Sequence, residues 1–480
     1  MRVLFVTPHY PYDPFTLLLH PTLAYGYMSA TLKRHGHEVQ HADLPFHGNR
    51  VEALQGFLDA FQPDIVGITC VAQSYAQALA IAKFVKDWRA DVVTVMGGPH
   101  VTFIPHEALE RHPAIDYIVL FDGEHPMLEL TNALEAKASP AQLAKIPSLA
   151  YRHNGEIHVT LPPPPVMDLD VYPRPDRSIY EMDRYLDYDY ETVIMTARGC
   201  PSHCAFCSTA QIGRRYRWHS IGHVCDELEE VLGMGFSSVF IGDDTFSGNS
   251  QRTIQFCEEI KRRGLKFRWT SNMRALDAKP RVLEAMREAG AYRVFMGFES
   301  IQQSTLRLVK KGTTPERLYH TAELVKSFGL ELHAAFIVGA PGDTHESLRA
   351  TLDFIRVVNP TIATFNAMEP RPGTDVYHNP EKYGLFIPDP YWYETTAWVD
   401  GPVCYTETLT QEEIRSWIIR CYNEFCSEDF RSPEVMQRLE PIKYTWANSD
   451  RHKSPITPYW ASADQMLLEI NQHTNCSEYQ

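Results

Sequence analysis

Three cysteines, Cys200, Cys204 and Cys207, stand close together in the chain with the spacing C-x-x-x-C-x-x-C, directly after the apolar segment 192–196. This arrangement places three thiols on a loop that leaves a predicted strand. Three thiolates can hold three irons of a cubane cluster and leave the fourth iron open to another ligand. The spacing therefore predicts a reactive iron–sulfur site.

Zinc and chance are the two alternatives for this cysteine group. Structural zinc sites favour four protein ligands in paired C-x-x-C form, and His203 lies inside the triplet, too close to replace a distant pair. The aromatic Phe206 before the last cysteine agrees with a cluster loop. We therefore favour an iron–sulfur cluster over both alternatives.

The segment 197–208, with the sequence Ala-Arg-Gly-Cys-Pro-Ser-His-Cys-Ala-Phe-Cys-Ser, resembles the radical S-adenosylmethionine (SAM) superfamily. The resemblance implies a [4Fe-4S] cluster on the three cysteines, whose open iron holds the amino and carboxylate groups of SAM. An electron from the cluster would cleave the sulfonium, and the resulting deoxyadenosyl radical would abstract hydrogen from a substrate. In this chemistry the cofactor carries out the difficult step and the protein orients it.

Length and composition limit the classes of protein that fit. A chain of 480 residues predicts two or three domains. No apolar run reaches the length of a membrane span, and Met1–Thr7 is typical of a first strand, so we expect a soluble cytoplasmic protein. The ten cysteines are expected to be reduced thiols, because oxygen would destroy the predicted cluster.

The charge of the chain bears on its partners. A formal net charge of -15 disfavours general nucleic-acid binding, because it would repel phosphate backbones. One local basic stretch, 214–220, follows the cluster loop and contains Arg214, Arg215 and Arg217. It could meet anionic groups of a cofactor or substrate, or it could be a solvated turn.

From residue 1 to about 134, apolar strands alternate with helical segments, which predicts an α/β unit with a doubly wound, Rossmann-like parallel sheet over residues 1–135. Ligands of such sheets bind beyond the carboxyl ends of the strands. The residues predicted at those ends include Thr69 and Val71 after one strand, Gly97 and Gly98 after the next, and Gly123 and Glu124 after the last.

Placed before the cysteine motif, this unit resembles a cobalamin-binding domain, whose hallmark is S-x-L followed some two dozen residues later by G-G. The resemblance implies cobalamin contacts from the following residues: Thr69, Val71, Ser74, Gly97, Gly98, Gly123 and Glu124. The D-x-H-x-x-G element that supplies a lower cobalt ligand in that family is missing, and His9 and His20 lack its setting. If cobalamin binds, we expect a displaced nucleotide tail and no histidine on the lower face.

A proline-rich stretch follows, and it predicts a linker over residues 136–190 that sets the spacing of two domains. Residues 191–376 again alternate strand and helix, with six βα units that resemble the partial barrel of the radical SAM fold. In such barrels the reactive groups come from the carboxyl ends of strands.

Several residues at these predicted strand ends match SAM contacts of the family. Gly242, Asp243 and Asp244 stand where the family meets the SAM ammonium, although the two acids could instead cap the next helix. Arg274 could pair with the SAM carboxylate or orient Glu299, and Glu299 could bond ribose hydroxyls. Phe206 and Gly339 complete the SAM set, the latter in a glycine–proline turn followed by a helix capped by Asp343 or Thr344.

Residues 377–480 form a predicted C-terminal extension, mainly helical, with an amphipathic helix near 411–425 and aromatics that could shape a substrate pocket. Cys404, Cys421 and Cys426 could hold a second cluster, but buried structural roles are commoner for such cysteines.

The domain order favours a cobalamin-dependent radical SAM enzyme, most plausibly a methyltransferase that modifies an unactivated carbon or phosphorus of a small molecule. Methyl would pass from SAM to cobalt and then to a substrate radical, without any dedicated protein base. Oxidative cyclisation or ring rearrangement is the first alternative, and a catalytically silent cobalamin or SAM sensor is an alternative from another class. A methylthiotransferase is disfavoured because the first 135 residues contain only Cys70. The expected partners are a small-molecule substrate and a reducing protein such as flavodoxin or ferredoxin.

Overall fold

The computed structural model describes residues 1–8, 20–47, 53–187, 191–213, 215–395 and 401–426. The first unit contains the strands β1 (Arg2–Thr7), β2 (Glu38–Asp43), β3 (Ile65–Thr69), β4 (Val93–Gly97), β5 (Tyr117–Val119), β6 (Leu149–His153) and β7 (Glu156–Val159). They form one sheet in the order β2-β1-β3-β4-β5-β6-β7. β1 to β5 are parallel, and β6 and β7 add antiparallel at one edge.

Helices cover both faces of this sheet, which explains why its central strands are almost continuously apolar. The helices are α1 (Leu23–Arg34), α2 (Leu54–Phe61), α3 (Tyr75–Trp88), α4 (Pro105–Arg111), α5 (Glu124–Glu135) and α6 (Pro140–Leu143). α1 and α5 pack on one face, and α2, α3 and α4 pack on the other. The predicted doubly wound α/β unit is confirmed.

The first sheet continues into the stretch predicted as a linker. β6 and β7 form a hairpin whose turn, Asn154–Gly155, has positive φ at both residues (51° and 81°). Asn-Gly between alternating apolar residues is a strong hairpin signal, and the proline run that follows it obscured that signal. The predicted boundary at 135/136 is therefore too early, since the sheet extends to Val159.

The second unit is an open barrel of six parallel strands. Its elements are β8 (Thr192–Ile194), β9 (Ala197–Arg198), β10 (Arg217–Trp218), β11 (Ser238–Ile241), β12 (Arg268–Asn272), β13 (Ala291–Glu299), β14 (Glu331–Val338) and β15 (Ile362–Ala367), with α7 (Met182–Asp187), α8 (Thr209–Gly213), α9 (Ile221–Gly233), α10 (Ser250–Arg263), α11 (Pro280–Glu288), α12 (Gln303–Leu308), α13 (Pro315–Ser327), α14 (His345–Val358) and α15 (Asp375–His378). The sheet order is β15-β14-β13-β12-β11-β8, while β9 and β10 pair separately. The predicted partial barrel is confirmed.

The C-terminal region contains β16 (Leu385–Phe386), β17 (Tyr405–Thr406) and α16 (Gln411–Cys426). α16 packs its apolar face, including Ile414 and Trp417, into the barrel core. Trp392 and Tyr393 pack instead into the core of the first sheet, so this region contacts both units. Among the described residues, no helix is both long enough and apolar enough to cross a bilayer.

Candidate active site between the two sheets

The three motif cysteines lie on the loop between β9 and α8, and all three are part-exposed free thiols. The amide of Ala205 donates to the carbonyl of Val309 (2.9 Å), and the amide of Val376 donates to the carbonyl of Ala205 (3.1 Å). Gly199 opens the loop with φ of 86°, where a Cβ would stand 2.3 Å from the Arg215 carbonyl. The loop is thus held from both sides in a conformation that needs glycine at its start.

The donor set of this loop fits an iron–sulfur cluster. The five other cysteines that the structure describes are buried, so among the described cysteines the three of the motif are the ones with part-exposed thiols. Burial raises the pKa of the Cys204 thiol to about 11, and the ammonium of Lys311 opposes that shift. Metal ligation requires the thiolate, so iron binding and proton release are coupled at this loop.

A half-buried ion pair lies beside the cysteines. Lys311 Nζ donates to Glu299 Oε1 at 2.7 Å and lies 5.9 Å from the ring of Phe206. Burial alone would lower the pKa of Lys311, but Glu299, Cys204 and Cys207 outweigh it and raise the pKa above its usual value. Lys311 is therefore a cation beside Cys204 and Cys207, where it would favour their thiolate forms.

Glu299 ends β13 with positive φ (66°), at an irregularity in its pairing with β14. A Cβ on Gly297 would stand 2.1 Å from the Glu299 carboxylate, so a larger residue there would displace the end of the Glu299 side chain from its present position. The predicted ribose contact of Glu299 stays a prediction, but its Oε1 is already committed to Lys311.

Asp243 has a different role from the one predicted. It is fully buried, and its carboxylate accepts the amides of Thr196 (2.6 Å) and Ala197 (2.9 Å) and the Thr196 hydroxyl (2.5 Å). Burial raises its pKa to about 6, against these hydrogen bonds and nearby Arg252. The assignment of Asp243 to the SAM ammonium is wrong, because both oxygens hold the chain between β8 and β9.

Asp244 is the acid of this pair that remains open. One oxygen accepts the amide of Gly199 at 2.8 Å, while the side chain is exposed to the cleft. The protein around this cleft still desolvates the carboxyl and raises its pKa, against Gly199 and Arg217. Neither acid caps a helix, since Asn249 accepts the amide of Arg252 at the start of α10. Gly242 lets the strand end lie against Val193, where a Cβ would approach within 2.8 Å.

Arg274 is tied to the cluster loop rather than to Glu299. Its guanidinium forms two bonds to Asp277 (2.7 and 2.8 Å) and donates to Ser202 Oγ at 2.9 Å. The predicted orientation of Glu299 by Arg274 is therefore wrong, because Asp277 and Ser202 take these donors. A contact with the SAM carboxylate stays a prediction.

Gly339 lies under the C-terminal helix. Its φ is 78°, and a Cβ would stand 2.7 Å from the side chain of Ile414. Its role beside adenine stays a prediction for the backbone alone, because the Cα faces α16. Thr344 caps α14 by accepting the amide of Ser347 at 3.1 Å, as the sequence predicts.

On the first sheet, the predicted cobalamin residues occupy the carboxyl ends of β3 and β4. Thr69, Val71, Gly97 and Gly98 are half-buried there. Gly98 has φ of 101°, and a Cβ would meet the Cys70 carbonyl at 2.5 Å, so only glycine fits. These open residues can border a flat ligand.

Two of the predicted cobalamin residues serve the protein itself. Ser74 is buried, and its hydroxyl accepts the amide of Val71 at 3.2 Å, which closes the turn before α3. Glu124 is buried and accepts a bond from Arg198 at 2.5 Å. The assignment of these two side chains to cobalamin is wrong, since both are satisfied within the fold.

Glu124 belongs to an ion-pair network that joins the two units, which we call the interdomain clamp: Asp122, Glu124, Arg198 and Arg217. Asp122 accepts from Arg198 at 3.1 Å and from Arg217 at 2.7 Å. The Arg217 side chain is 1% exposed. The basic stretch after the cysteines thus meets protein carboxylates through Arg217, while Arg214 lies outside the described residues.

Two further contacts join residues that follow strands of the first sheet to residues that follow strands of the barrel. Gln73, which follows β3, donates to Glu369, which follows β15, at 2.6 Å. Gly373 lies against the ring of Phe103, which follows β4, so closely that a Cβ would stand 2.4 Å away. The carboxyl edges of the two sheets therefore face each other, and the cluster loop lies on the barrel side of that junction.

Two remaining sequence hypotheses concern other ligands. Cys404 packs with Met368 and donates to its carbonyl at 3.2 Å, whereas Cys421 lies in the barrel core, so these two do not share a second cluster site. The side chain of Cys426 and residue His9 lie outside what the structure describes. The Nδ1 atom of His20 lies 2.9 Å from the carbonyl of Glu191.

Sequence reasoning missed the residues that support this site. Lys311, Arg198 and Asp122 act through partners 12 to 95 residues away, and no local pattern marks them. The one available signal was position, since Arg198 stands two residues before Cys200 and Asp122 directly before Gly123.

Known proteins resemble this chain in sequence. Residues 194–355 match the sequence profile of the Radical SAM superfamily, and residues 17–131 match the B12 binding domain. An uncharacterized methyltransferase of Pyrococcus horikoshii is 33% identical over 84% of this chain and 87% of its own length. An anaerobic magnesium-protoporphyrin IX monomethyl ester cyclase of Rubrivivax gelatinosus is 30% identical over 88% of this chain and 77% of its own length.

One solved structure shares the whole fold. The radical S-adenosylmethionine methyltransferase TsrM from Kitasatospora setae, with cobalamin and a [4Fe-4S] cluster bound, superposes with a TM-score of 0.74 at 19% identity. The match covers 98% of this chain and 99% of that one. At this identity the likeness concerns the fold alone.

Proposed function

Because this chain belongs to the radical SAM superfamily and joins a B12-binding domain to its barrel, we propose that it is a methyltransferase that adds methyl to an unactivated carbon or phosphorus of a small molecule. Its cofactors are a [4Fe-4S] cluster, SAM and cobalamin. The observation that carries the proposal is the junction of the two carboxyl edges, with the open glycine-rich ends on one side and the cysteine loop on the other.

The residues of this chain supply binding, orientation and exclusion of water. Cys200, Cys204 and Cys207 would hold the cluster, which when bound supplies the electron that splits SAM. Asp244, open to the cleft, would accept the SAM ammonium through a charge-assisted hydrogen bond. Glu299, Arg274, Gly339, Phe206 and Gly242 border the same strand ends.

Thr69, Val71, Gly97, Gly98 and Gly123 would border cobalamin, which when bound supplies the methyl carrier. The interdomain clamp holds this edge against the cluster loop, so the bound carrier and radical source would face each other across the junction. Fixing reactants in one cavity replaces improbable encounters with proximity, and enclosure protects a radical from water.

A second candidate function is oxidative cyclisation, favoured by the 30% identity to an anaerobic cyclase along 88% of the chain. The two reactions differ in what becomes of SAM. Methyl transfer converts one SAM to S-adenosylhomocysteine, whereas cyclisation consumes SAM only as a source of 5′-deoxyadenosine.

The test uses anaerobically reconstituted protein loaded with iron, sulfide and hydroxocobalamin, SAM carrying a trideuterated methyl group, and titanium(III) citrate as reductant. Methyl transfer predicts S-adenosylhomocysteine and the deuterated label in the extracted cobalamin fraction, before any substrate is known. Deoxyadenosine without either product would support the cyclase. A fully loaded protein that forms none of the three would overturn both enzymes and leave the sensor.

We also propose a cytoplasmic location and a small-molecule substrate, in keeping with a motif that needs reducing conditions. The reductant in the cell is proposed to be a flavodoxin or a ferredoxin.

A further inference from the structure

An open cavity of about 430 Å³ lies beside α12 and the start of α13. It is lined by Leu276, Leu306, Arg307, Lys310, Gly312, Thr313, Thr314 and Arg317. Three of these side chains are cations and none is a carboxylate. Such a lining is unusual for a chain with a net charge of -15, so the cavity is a local positive patch.

The chain segment 306–311 contributes to the lining of the cavity and also contacts the cysteine loop. Its buried Val309 accepts the amide of Ala205, inside the cysteine triplet, at 2.9 Å. Lys311 turns inward to Glu299, and its charge acts on Cys204 and Cys207. Arg307 and Lys310 of the same segment face outward at the cavity.

The cations of the cavity are largely uncompensated. Within the described part of the chain, Arg307 and Arg317 form no ion pair. Lys310 pairs with Asp375 at 3.0 Å, but Lys382 shares the same carboxylate at 2.9 Å. Glu316 is bonded to Thr314 and to its own backbone at the start of α13.

An apolar side chain completes the surface. Leu308 stands between Arg307 and the Val309–Lys311 turn and is 38% exposed. Short-lived electron-transfer complexes have small interfaces, which bury less than about 1,200 Å². Charge complementarity steers their encounter and sets their register. A surface with three cations and one exposed leucine suits such a complex.

We propose that Arg307, Leu308, Lys310 and Arg317 form the docking surface for a small acidic one-electron donor of the flavodoxin class. The inference rests on the proposed function, because it names the partner of the cluster site. One electron passes from the flavin hydroquinone, which becomes the semiquinone, across the 306–311 segment to the cluster, and no atom is transferred. The path is short because Val309 touches the cysteine loop directly.

The test compares charge reversal at this surface with a matched reversal elsewhere. The test variant is Arg307→Glu/Arg317→Glu. The control is Lys266→Glu/Arg287→Glu, which changes the net charge equally at exposed residues beside the amino ends of β12 and β13, away from the cysteine loop. Reconstituted holoenzyme is titrated with a purified bacterial flavodoxin under anaerobic conditions, and flavin fluorescence gives Kd at low and at high salt.

We expect at least about a tenfold weaker Kd for the test variant at low salt, less than about a twofold change for the control, and a loss of the difference at high salt. Deoxyadenosine formation driven by reduced flavodoxin should fall with binding, whereas formation driven by titanium(III) citrate should match the wild type. Arg307→Lys/Arg317→Lys should restore binding, and equal iron content in all variants checks folding.

Equal flavodoxin affinity in the test variant and the wild type would overturn the docking surface, as would a control that weakens binding as much. The absence of measurable flavodoxin binding by wild type would overturn it too. None of these results touches the proposed function, which the titanium-driven reaction tests separately. Failure of the titanium-driven reaction with normal flavodoxin binding would overturn the proposed function and leave the surface standing.

Discussion

Replacing Asp122 with asparagine removes the central charge of the interdomain clamp. The Asp122 carboxylate accepts three hydrogen bonds from two guanidinium groups, at 2.7, 3.1 and 3.3 Å. Burial alone would raise the pKa of Asp122, but Arg198 and Arg217 outweigh it and hold the pKa below its usual range. The asparagine side chain in Asp122→Asn would keep one acceptor oxygen and turn an amide toward a guanidinium.

The loss of stability follows from the charged groups that the substitution leaves without their partner. Removing one partner of a buried ion pair costs about 3 to 5 kcal/mol, because the other charge stays buried. Arg217 is 1% exposed, but Asp122 is 27% exposed and the Arg198–Glu124 pair survives, so we expect about 2 to 4 kcal/mol. At 1.4 kcal/mol per factor of ten, this corresponds to about 30- to 700-fold more frequent opening.

Native-state hydrogen exchange measures this opening locally, which suits a multi-domain chain whose global unfolding is not two-state. The reporter is the amide of His219, which bonds the Thr196 carbonyl at 3.0 Å beside the β9–β10 pair. Asp87→Asn, in the exposed Lys83–Asp87 pair, is the matched control and should change exchange by less than about fivefold.

The effect should also depend on pH. A carboxylate whose pKa is lowered in the folded state contributes stability that is present above its ordinary pKa and is lost as the pH falls through the lowered value. The difference between wild type and Asp122→Asn should therefore begin to shrink as the pH falls below about 4, and it should vanish only below the lowered pKa of Asp122. Equal exchange rates at His219 in wild type, Asp122→Asn and Asp87→Asn at pH 7 would refute the reasoning that these ion pairs hold the two edges together.

Three further predictions follow from single positions. Cys204→Ser should reduce bound iron from about four per reconstituted chain to near none, while Cys404→Ser, in a buried cysteine, should keep it; retention of a full cluster by Cys204→Ser would contradict the assigned ligands. Gly98→Ala should cost about 2 to 4 kcal/mol and lower the thermal midpoint, because of its φ of 101° and the 2.5 Å approach to the Cys70 carbonyl; Gly56→Ala, in α2 with open space around it, should be neutral or stabilising, and similar midpoints for the two would count against this reading. His41→Gln should flatten the loss of stability between pH 7 and pH 5. Burial, assisted by His47, lowers the pKa of His41 to about 3. Below about pH 6.5 the unfolded chain therefore binds a proton at this histidine, whereas the folded chain does not. At pH 5 this difference lowers the free energy of unfolding by about 2 kcal/mol. An unchanged pH slope of the thermal midpoint, relative to the exposed control His106→Gln, would rule out this origin.

Local sequence patterns were sufficient to predict the buried apolar strands. β3 and β14 read as strands because apolar residues fill them, and the cysteine loop was recognisable because its spacing is set by the ligand. β2 was missed because it is an edge strand with polar residues at alternate positions. Its burial depends on the neighbouring β1, which no window over β2 reports.

Side-chain roles at the site depended on partners far along the chain. Asp243 and Asp244 are adjacent and chemically alike. The path of the β8–β9 segment decides that Asp243 accepts hydrogen bonds from Thr196 while Asp244 faces the cleft. Glu124 looked available because Arg198, its partner, is 74 residues away. A sequence pattern reports residue type and spacing, but not which polar groups are already satisfied.

Two consecutive residues of the connecting segment are anchored in opposite directions. Asp176 bonds Ser29 and Lys33 of α1, while Arg177 pairs with Glu227 of α9 at 2.6 Å and bonds the Val193 carbonyl of β8. The composition of this stretch predicts a flexible linker, but in the structure it is bonded to both halves of the molecule. Moving the two halves apart as rigid bodies would break these bonds, so we expect substrates to enter and products to leave through local movements of loops and side chains.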